Sequence, residues 1–151
     1  MKATSKEISK VEGLLTTMWG KLVESLVEGD LKRLLNERGI PVNHTVQNAE
    51  GCVNGENYEF DIIARNGDEI VIVEVKTTLR SDNIKKFVSK LKKVREWMPE
   101  YKNNIIYGAV AWIHADKQVR AQAENSGLIV IRATGKSASI INQDGFVPKN
   151  F

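Results

Sequence analysis

Leucine and valine recur at spacings of three and four residues from about residue 5 to residue 38, and no proline interrupts them. This spacing places apolar side chains along one side of a helix. The apolar stripe changes direction near Gly29-Asp30, so we expect two helical segments or a bend there. Gly39 and then Pro41 follow in the order typical of a helix end. The chain therefore begins with a predicted helical segment.

The middle of the chain predicts strands. Residues 41–47 could form a first strand, and residues 48–57 are rich in turn-forming residues and predict a loop. Residues 58–65 and 69–76 are apolar and β-branched, and Asn66-Gly67 between them is a strong hairpin signal. An antiparallel hairpin is the clearest structural prediction from this sequence.

The second half alternates between helix and strand. Ser81 or Asp82 is expected to cap a helix that runs to about Trp97, ahead of Pro99. The later elements are strands at about 104–113, 128–132 and 137–141 and a helix at about 116–126. A hairpin followed by strand–helix–strand crossovers predicts an α/β fold in which helices flank a mixed central sheet.

Composition narrows the possible classes of protein. A chain of 151 residues with 42% apolar residues suits a single domain, with a helical segment at 1–38 and a sheet core at 41–142. No run of about 18 apolar residues predicts a membrane span, and the first ten residues do not predict a signal peptide. One cysteine, Cys52, and two histidines, His44 and His114, do not suit a disulfide framework or a zinc site. We expect a cytoplasmic protein with no membrane partner.

The charge is unevenly distributed. The net charge is only +3, but residues 80–96 hold seven basic and two acidic residues. On a helical wheel, the lysines lie on the arc opposite the apolar residues. These side chains form either a solvated face or a phosphate-binding stripe, and the candidates for nucleic-acid contacts are Lys85, Lys86, Lys92 and Lys93. Thr77 could donate a hydrogen bond to a phosphate or could simply end its strand.

Acidic side chains interrupt the apolar hairpin strands. Because strand side chains alternate between faces, Glu59 and Asp61 should share one face of the sheet, and Glu74 and Lys76 one face of the next strand. The Asn66-Gly67 turn sets a register in which Asp61 lies close to opposite Glu74. Two carboxylates this close repel each other, which calls for a cation or a proton between them. The alternative is a paired structural network on a solvated face.

This set of residues suits a divalent metal. Asp61 and Glu74 offer the hard oxygen ligands that Mg²⁺ or Mn²⁺ prefers, and the backbone carbonyl of Val75 lies between them. A bound metal acidifies a water and shields the charge that builds on a phosphate. Lys76 could orient or deprotonate that water, or neutralise the phosphate.

The order of these residues resembles a known signature. Asp61, then twelve residues, then Glu74-Val75-Lys76 is similar to the active-site motif of the PD-(D/E)xK nuclease superfamily. Residues 20–130 resemble archaeal Holliday junction resolvases and restriction-endonuclease-like proteins. The closest resemblance is to a group of uncharacterised small proteins that share the stretches WGKLVESLVEG, EFDIIA, EVKTTL and YGAVA. The sequence departs from the motif at Phe60, which stands in place of the motif's proline, a residue that is often missing in relatives.

The resemblance implies an αβββαβ core of the restriction-endonuclease-like kind and a glutamate from the first helix, which maps to either Glu24 or Glu28. It also implies a Mg²⁺-dependent endonuclease or phosphodiesterase that acts on nucleic acid, with DNA as the expected substrate. The catalytic set would be Asp61, Glu74 and Lys76 with that glutamate. The alternative is a catalytically inactive nucleic-acid-binding or assembly module that keeps the fold, with a possible homodimer contact through the N-terminal helix and Trp19.

Overall fold

The computed structural model describes residues 5–134 and 136–151, without the side chains of residues 5–9, 11–17, 19 and 22. Its helices are α1 (Ser5–Glu37), α2 (Ser81–Leu91), α3 (Val94–Trp97) and α4 (Lys117–Asn125), with a 3₁₀ turn at Pro99–Tyr101. Its strands are β1 (His44–Val53), β2 (Glu56–Arg65), β3 (Glu69–Leu79), β4 (Ile105–Ala115), β5 (Ile129–Ala133) and β6 (Ala138–Ile140). None of the helices in the described part of the chain has the length and apolar character needed to cross a membrane.

The six strands form one mixed sheet in the order β1-β2-β3-β4-β5-β6. Strands β3, β4 and β5 are parallel to one another, and the other neighbouring pairs are antiparallel. Apolar side chains on both faces of the central strands are buried, as expected for a sheet covered by helices on each side. The predicted α/β fold with a mixed sheet is confirmed, and the elements follow the expected αβββαβ order.

Each face of the sheet has its own core. Helix α1 packs on one face through a stripe that includes Val27, Leu31 and Leu35, against Ile62 and Val73. Helices α2 to α4 pack on the other face, where the fully buried side chains include Phe87, Leu91, Ile72, Ile106 and Trp112. The two cores fix the hairpin strands β2 and β3 between them.

The prediction of a loop at residues 48–57 is wrong. Strand β1 continues to Val53 and pairs with β2 from Ala49 to Val53. The reversal occurs at Asn54-Gly55, where both residues have positive φ, +52° and +81°. This is the backbone that a tight hairpin turn requires, and Asn-Gly supplies it at low cost. The asparagines and glycines of this segment form a second hairpin.

Two helix predictions need correction. Helix α1 is continuous through Gly29-Asp30, so the alternative of two separate segments is wrong. The Asp30 carboxylate accepts a hydrogen bond from the Ala138 amide at 2.9 Å and ties the helix to β6. The predicted helix over about 81–97 is divided into α2 and α3. Neither Ser81 nor Asp82 is its cap residue: the cap position is Arg80, whose amide donates to the Asn83 side chain at 2.8 Å.

The proposed dimer contact through α1 stays a prediction. The side chain of Trp19 lies outside the described residues. From Val23 onward the apolar stripe is buried against the sheet of the same chain, so it offers no free surface there. Met18 is 54% exposed, so this part of α1 remains accessible to a second copy.

Two glycine-to-alanine substitutions should have opposite effects on stability. Gly55 has positive φ and open space around it. Gly55→Ala should therefore lower the free energy of unfolding by about 1–2 kcal/mol, the cost of a left-handed backbone for alanine, with no added clash. Gly29 lies within α1 and also has open space, so Gly29→Ala should stabilise the protein by roughly 0.5–1 kcal/mol. Urea unfolding measures both changes. A destabilising Gly29→Ala would contradict the continuous helix.

Candidate active site

The alternation of side chains along β2 is broken at Asp61. Phe60 packs in the core beneath α2, whereas Ile62, two residues later, packs in the core beneath α1. Residues two apart on a regular strand share a face, so the strand must shift its phase between them. Opposite this point on β1, Asn48 has a φ of +53° and is skipped by the strand register. We expected Glu59 and Asp61 to share a face because side chains alternate along a regular strand. Strand β2 does not keep this alternation through Asp61.

The ladder between β2 and β3 ends at the same place. Its pairs run from Arg65 and Ile70 to Ile62 and Val73, and one further step would set Asp61 opposite Glu74. Beyond that point β3 continues to pair with β4. The Asp61 carboxylate accepts a hydrogen bond from the Val75 amide at 2.8 Å. Where the two strands diverge, the Asp61 side chain thus takes the place of a backbone carbonyl as the partner of the Val75 amide.

Three carboxyl groups meet around this divergence, and each has a raised pKa. For Asp61, burial raises the pKa most, against the Val75 amide and Lys76, which lower it. For Glu74, burial again raises the pKa most, and the nearby Asp61 charge adds to it. Burial also raises the pKa of Glu24, and the charges of Asp61 and Glu59 raise it further. The protein holds these groups in surroundings that disfavour their charged forms.

The structure separates the two helix glutamates. Glu24 lies within electrostatic reach of Asp61 and Glu59. Glu28, one turn further along α1, instead accepts a hydrogen bond from the Thr45 hydroxyl at 2.9 Å. Sequence spacing alone left both open because residues four apart lie on the same side of a helix. The geometry places Glu24 beside the acidic cluster and Glu28 against β1.

Lys90 joins the cluster, although the sequence placed it only within the lysine-rich arc of α2. Its Nζ atom lies 4.0 Å from a Glu74 carboxylate oxygen, and the two side chains are 30% and 17% exposed. The same ammonium donates to the Glu59 carbonyl at 2.6 Å and lies 4.7 Å from the centre of the Phe60 ring. Lys76 is therefore not the single cation beside these carboxylates. The signal that could have placed Lys90 in the cluster is its position on the side of α2 that faces β2.

The remaining lysines of the stripe differ among themselves. Lys85, Lys86 and Lys92 are exposed on α2 and its end. Lys93 pairs with Glu56 at 2.6 Å and lies 5.8 Å from the Trp97 ring centre, and its hydrogen bond to Glu56 raises its pKa. Thr77 is half-buried on β3 beside Lys76. The first three lysines are thus open to an anionic partner, whereas Lys93 is already engaged with a carboxylate.

The donor atoms around the divergence fit a magnesium ion in their chemistry. Within residues 5–134 and 136–151, no three carboxylate, histidine or cysteine side chains form a group that could hold a metal by themselves. Mg²⁺ usually takes one or two protein carboxylates and keeps several waters or substrate phosphates as its other ligands. Asp61, Glu74 and the Val75 carbonyl suit that mode of binding, and the raised carboxyl pKa values are what a cation would relieve.

The raised pKa values predict a pH-dependent stability for the metal-free protein. Between the ordinary carboxyl pKa and the raised one, the native state keeps protons that the unfolded chain has released. The free energy of unfolding should therefore fall as the pH rises through this window. Asp61→Asn keeps an oxygen for the Val75 amide, so it should raise the melting temperature at neutral pH.

This gain should shrink as the pH falls below the ordinary carboxyl range, because Asp61 is then neutral in both states. Thermal unfolding at neutral and acid pH measures the difference. Asp144→Asn, which neutralises an exposed carboxylate, is the matched control. If both variants changed the melting temperature equally at each pH, the cluster would not have the electrostatics described above.

The fold resembles several solved structures at low sequence identity. Protein VC1899 from Vibrio cholerae has a TM-score of 0.51 and 17% identity, covering 71% of this chain and 28% of that one. The EndoMS complex with double-stranded DNA has a TM-score of 0.44 and 14% identity, covering 77% and 46%. A repair endonuclease from Pyrococcus abyssi has a TM-score of 0.41 and 18% identity, covering 70% and 46%. The chain spans less than half of each, and the likeness to VC1899 shows the fold alone.

Sequence comparison gives a family without an assigned activity. No curated protein matches the chain. The model of a family described as a domain of unknown function, DUF8196, matches residues 31–140. This segment holds β1 to β6, Asp61, Glu74 and Lys76. Because the match covers well over half of the chain, the protein belongs to the DUF8196 family.

Proposed function

We propose that the protein is a metal-dependent nuclease that hydrolyses phosphodiester bonds, with DNA as its substrate and Mg²⁺ or Mn²⁺ as its cofactor. One observation carries the proposal: Asp61 and Glu74 meet with raised pKa values at the point where β2 and β3 diverge, with Lys76 beside them. Carboxyls whose pKa is perturbed by burial beside a specific charge partner are typical of functional sites. The resemblance of Asp61 and Glu74-Val75-Lys76 to the PD-(D/E)xK signature gives the same reaction class.

Each residue of the cluster has a distinct proposed role. Asp61, Glu74 and the Val75 carbonyl would hold the metal, which when bound supplies Lewis-acid stabilisation of the charge that builds on the phosphate. Lys76 would hold the attacking water or the phosphate oxygen in place through its ammonium. Glu24 would support the cluster from α1, where it already lies within the field of Asp61.

Lys90 adds a charge that the sequence did not place there. Its ammonium lowers the pKa of both Asp61 and Glu74, so it helps to hold the two carboxylates together in their charged form. It reaches this position from α2, the helix that also carries Lys85 and Lys86. We infer that the same helix serves both the acidic cluster and the phosphate backbone.

The exposed lysines suit the approach of a nucleic acid. Lys85, Lys86 and Lys92 lie on α2 and its end, and Lys93 could exchange its contact with Glu56 for a phosphate. Phosphate contacts of this kind supply affinity without reading sequence. Thr77, next to Lys76 on β3, could donate its hydroxyl to a phosphate near the cleaved bond. We therefore propose that α2 positions the backbone while β2 and β3 supply the chemistry.

The test of the proposed reaction is cleavage of a panel of single-stranded, duplex and branched DNA and of RNA, with Mg²⁺ or Mn²⁺. We expect cleavage by the wild type and none with a chelator. Asp61→Asn should abolish it through loss of the metal. Lys76→Met should lower the rate by roughly 10²–10³-fold, the usual cost of losing one donor positioned at developing negative charge, while metal binding persists.

Lys102→Met, which removes an exposed lysine beyond the 3₁₀ turn, controls for a loss of positive charge and should leave the rate unchanged. If the wild type cleaves no substrate with either metal, and the Asp61 and Lys76 variants bind nucleic acid as it does, the catalytic proposal is wrong. The alternative of a binding module that keeps the fold would then take its place.

The two helix glutamates provide a matched pair of variants. Glu24→Gln should lower cleavage or metal affinity by roughly 10–100-fold, as is common for residues that support metal ligands. Glu28→Gln should leave the rate near that of the wild type, because its carboxylate is bonded to Thr45 and not to the cluster. Steady-state cleavage and metal titration measure both. The reverse ranking would show that the helix glutamate of the site is Glu28.

A further inference from the structure

An open cavity of about 740 Å³ adjoins the acidic cluster. The β1–β2 hairpin forms one side, through residues that include Cys52 and Tyr58, and the helical side contributes Lys90 and Trp97. Glu59 and Lys90 belong both to this cavity and to the surroundings of Asp61 and Glu74. A molecule in the cavity would therefore lie next to the proposed cleavage site.

Aromatic rings form the wall of this cavity. Tyr58 and Trp97 stack with their centres 5.4 Å apart and their planes at 12°, and Phe60 packs 6.2 Å from Trp97. Gly51 permits this arrangement, because a Cβ atom there would lie only 2.5 Å from the Tyr58 hydroxyl oxygen. Tyr58 is half-buried, so part of its side chain remains accessible to a ligand.

The aromatic lining favours a base over a phosphate inside the cavity. Tyr58 and Trp97 supply ring surface there, and a base gains from stacking on such a ring whereas a phosphate does not. The one lysine of the lining, Lys90, lies on the side of Glu74, where the phosphate of the same nucleotide would be.

We propose that this cavity binds an unpaired nucleobase of the nucleic acid, stacked on Tyr58 and adjacent to the phosphodiester that is cleaved. This inference rests on the proposed nuclease function and names its substrate class: nucleic acid with an unpaired nucleotide at the cleavage site. A paired base is stacked within its duplex and cannot reach a pocket wall without being extruded. Aromatic side chains bind unpaired bases in this way with little sequence preference.

The first test measures binding without cleavage. Fluorescence anisotropy with a chelator present compares the wild type on a duplex with an unpaired internal gap and on the fully paired duplex. We expect tighter binding to the gapped DNA. Tyr58→Leu keeps an apolar side chain but removes the aromatic face, and it should weaken that binding by roughly 5- to 150-fold, the range typical of one lost base–aromatic stack.

Tyr107→Leu is the matched control, since Tyr107 is a half-buried tyrosine on β4 that packs in the core beneath α1. It should leave the preference for gapped DNA unchanged. Equal affinity of the wild type for gapped and paired DNA would overturn the proposal. So would a folded Tyr58→Leu protein that binds gapped DNA as the wild type does.

The second test uses the unaltered protein and does not depend on Tyr58→Leu being folded. Cys52 is the single cysteine of the chain, it is exposed, and it lines the cavity. Gapped or single-stranded DNA should slow its alkylation by iodoacetamide, and the same concentration of paired duplex should not. Failure of unpaired DNA to protect Cys52 would overturn the proposal. Protection without any cleavage would instead show that the cavity binds bases while the nuclease proposal fails.

Discussion

The hydrogen bond from the Val75 amide to the Asp61 carboxylate is the interaction on which the candidate site depends. It forms where the backbone ladder of β2 and β3 ends, so one side chain both replaces a strand partner and fixes the acidic cluster. The two cores hold β3 against β4 and α1, while its ladder with β2 ends at Val73. Past this point Asp61 and Lys76 lie close enough to act on the pKa of Glu74.

Stability alone does not explain this arrangement. Asp61, Glu74 and Glu24 would all be better solvated on the surface, and burial raises the pKa of each. Proteins tolerate such local cost chiefly at functional sites, where the rest of the structure compensates. Here the compensation comes from two lysines on different elements, Lys76 on β3 and Lys90 on α2, and from two well-packed cores. The charged carboxylates of the cluster repel one another, and a bound divalent cation would reduce this repulsion.

Much of the fold follows from local sequence signals. Asn66-Gly67 predicts the hairpin of β2 and β3, and in the structure Gly67 takes the positive φ of that turn, +98°. Asn54-Gly55 carries the same signal for the β1–β2 hairpin, but the surrounding asparagines and glycines favoured a loop. Strand β1 is stabilised by its pairing with β2, a long-range interaction that local composition does not report. No proline or glycine lies between α2 and α3, so no local signal predicts that this helix is divided there.

The candidate site was predictable in its residue types but not in its contacts. The alternation of side chains pointed to Asp61, Glu74 and Lys76, yet the shift in phase at Asp61 and its bond to Val75 depend on the backbone in three dimensions. Helical periodicity could not separate Glu24 from Glu28, because the difference arises from which strand each one meets. The most direct measurement is Mn²⁺ broadening of backbone amide signals in an NMR spectrum at substoichiometric metal. The account predicts selective loss of the signals of residues 61 and 74–76, whereas broadening only at scattered exposed carboxylates such as Asp144 would contradict it.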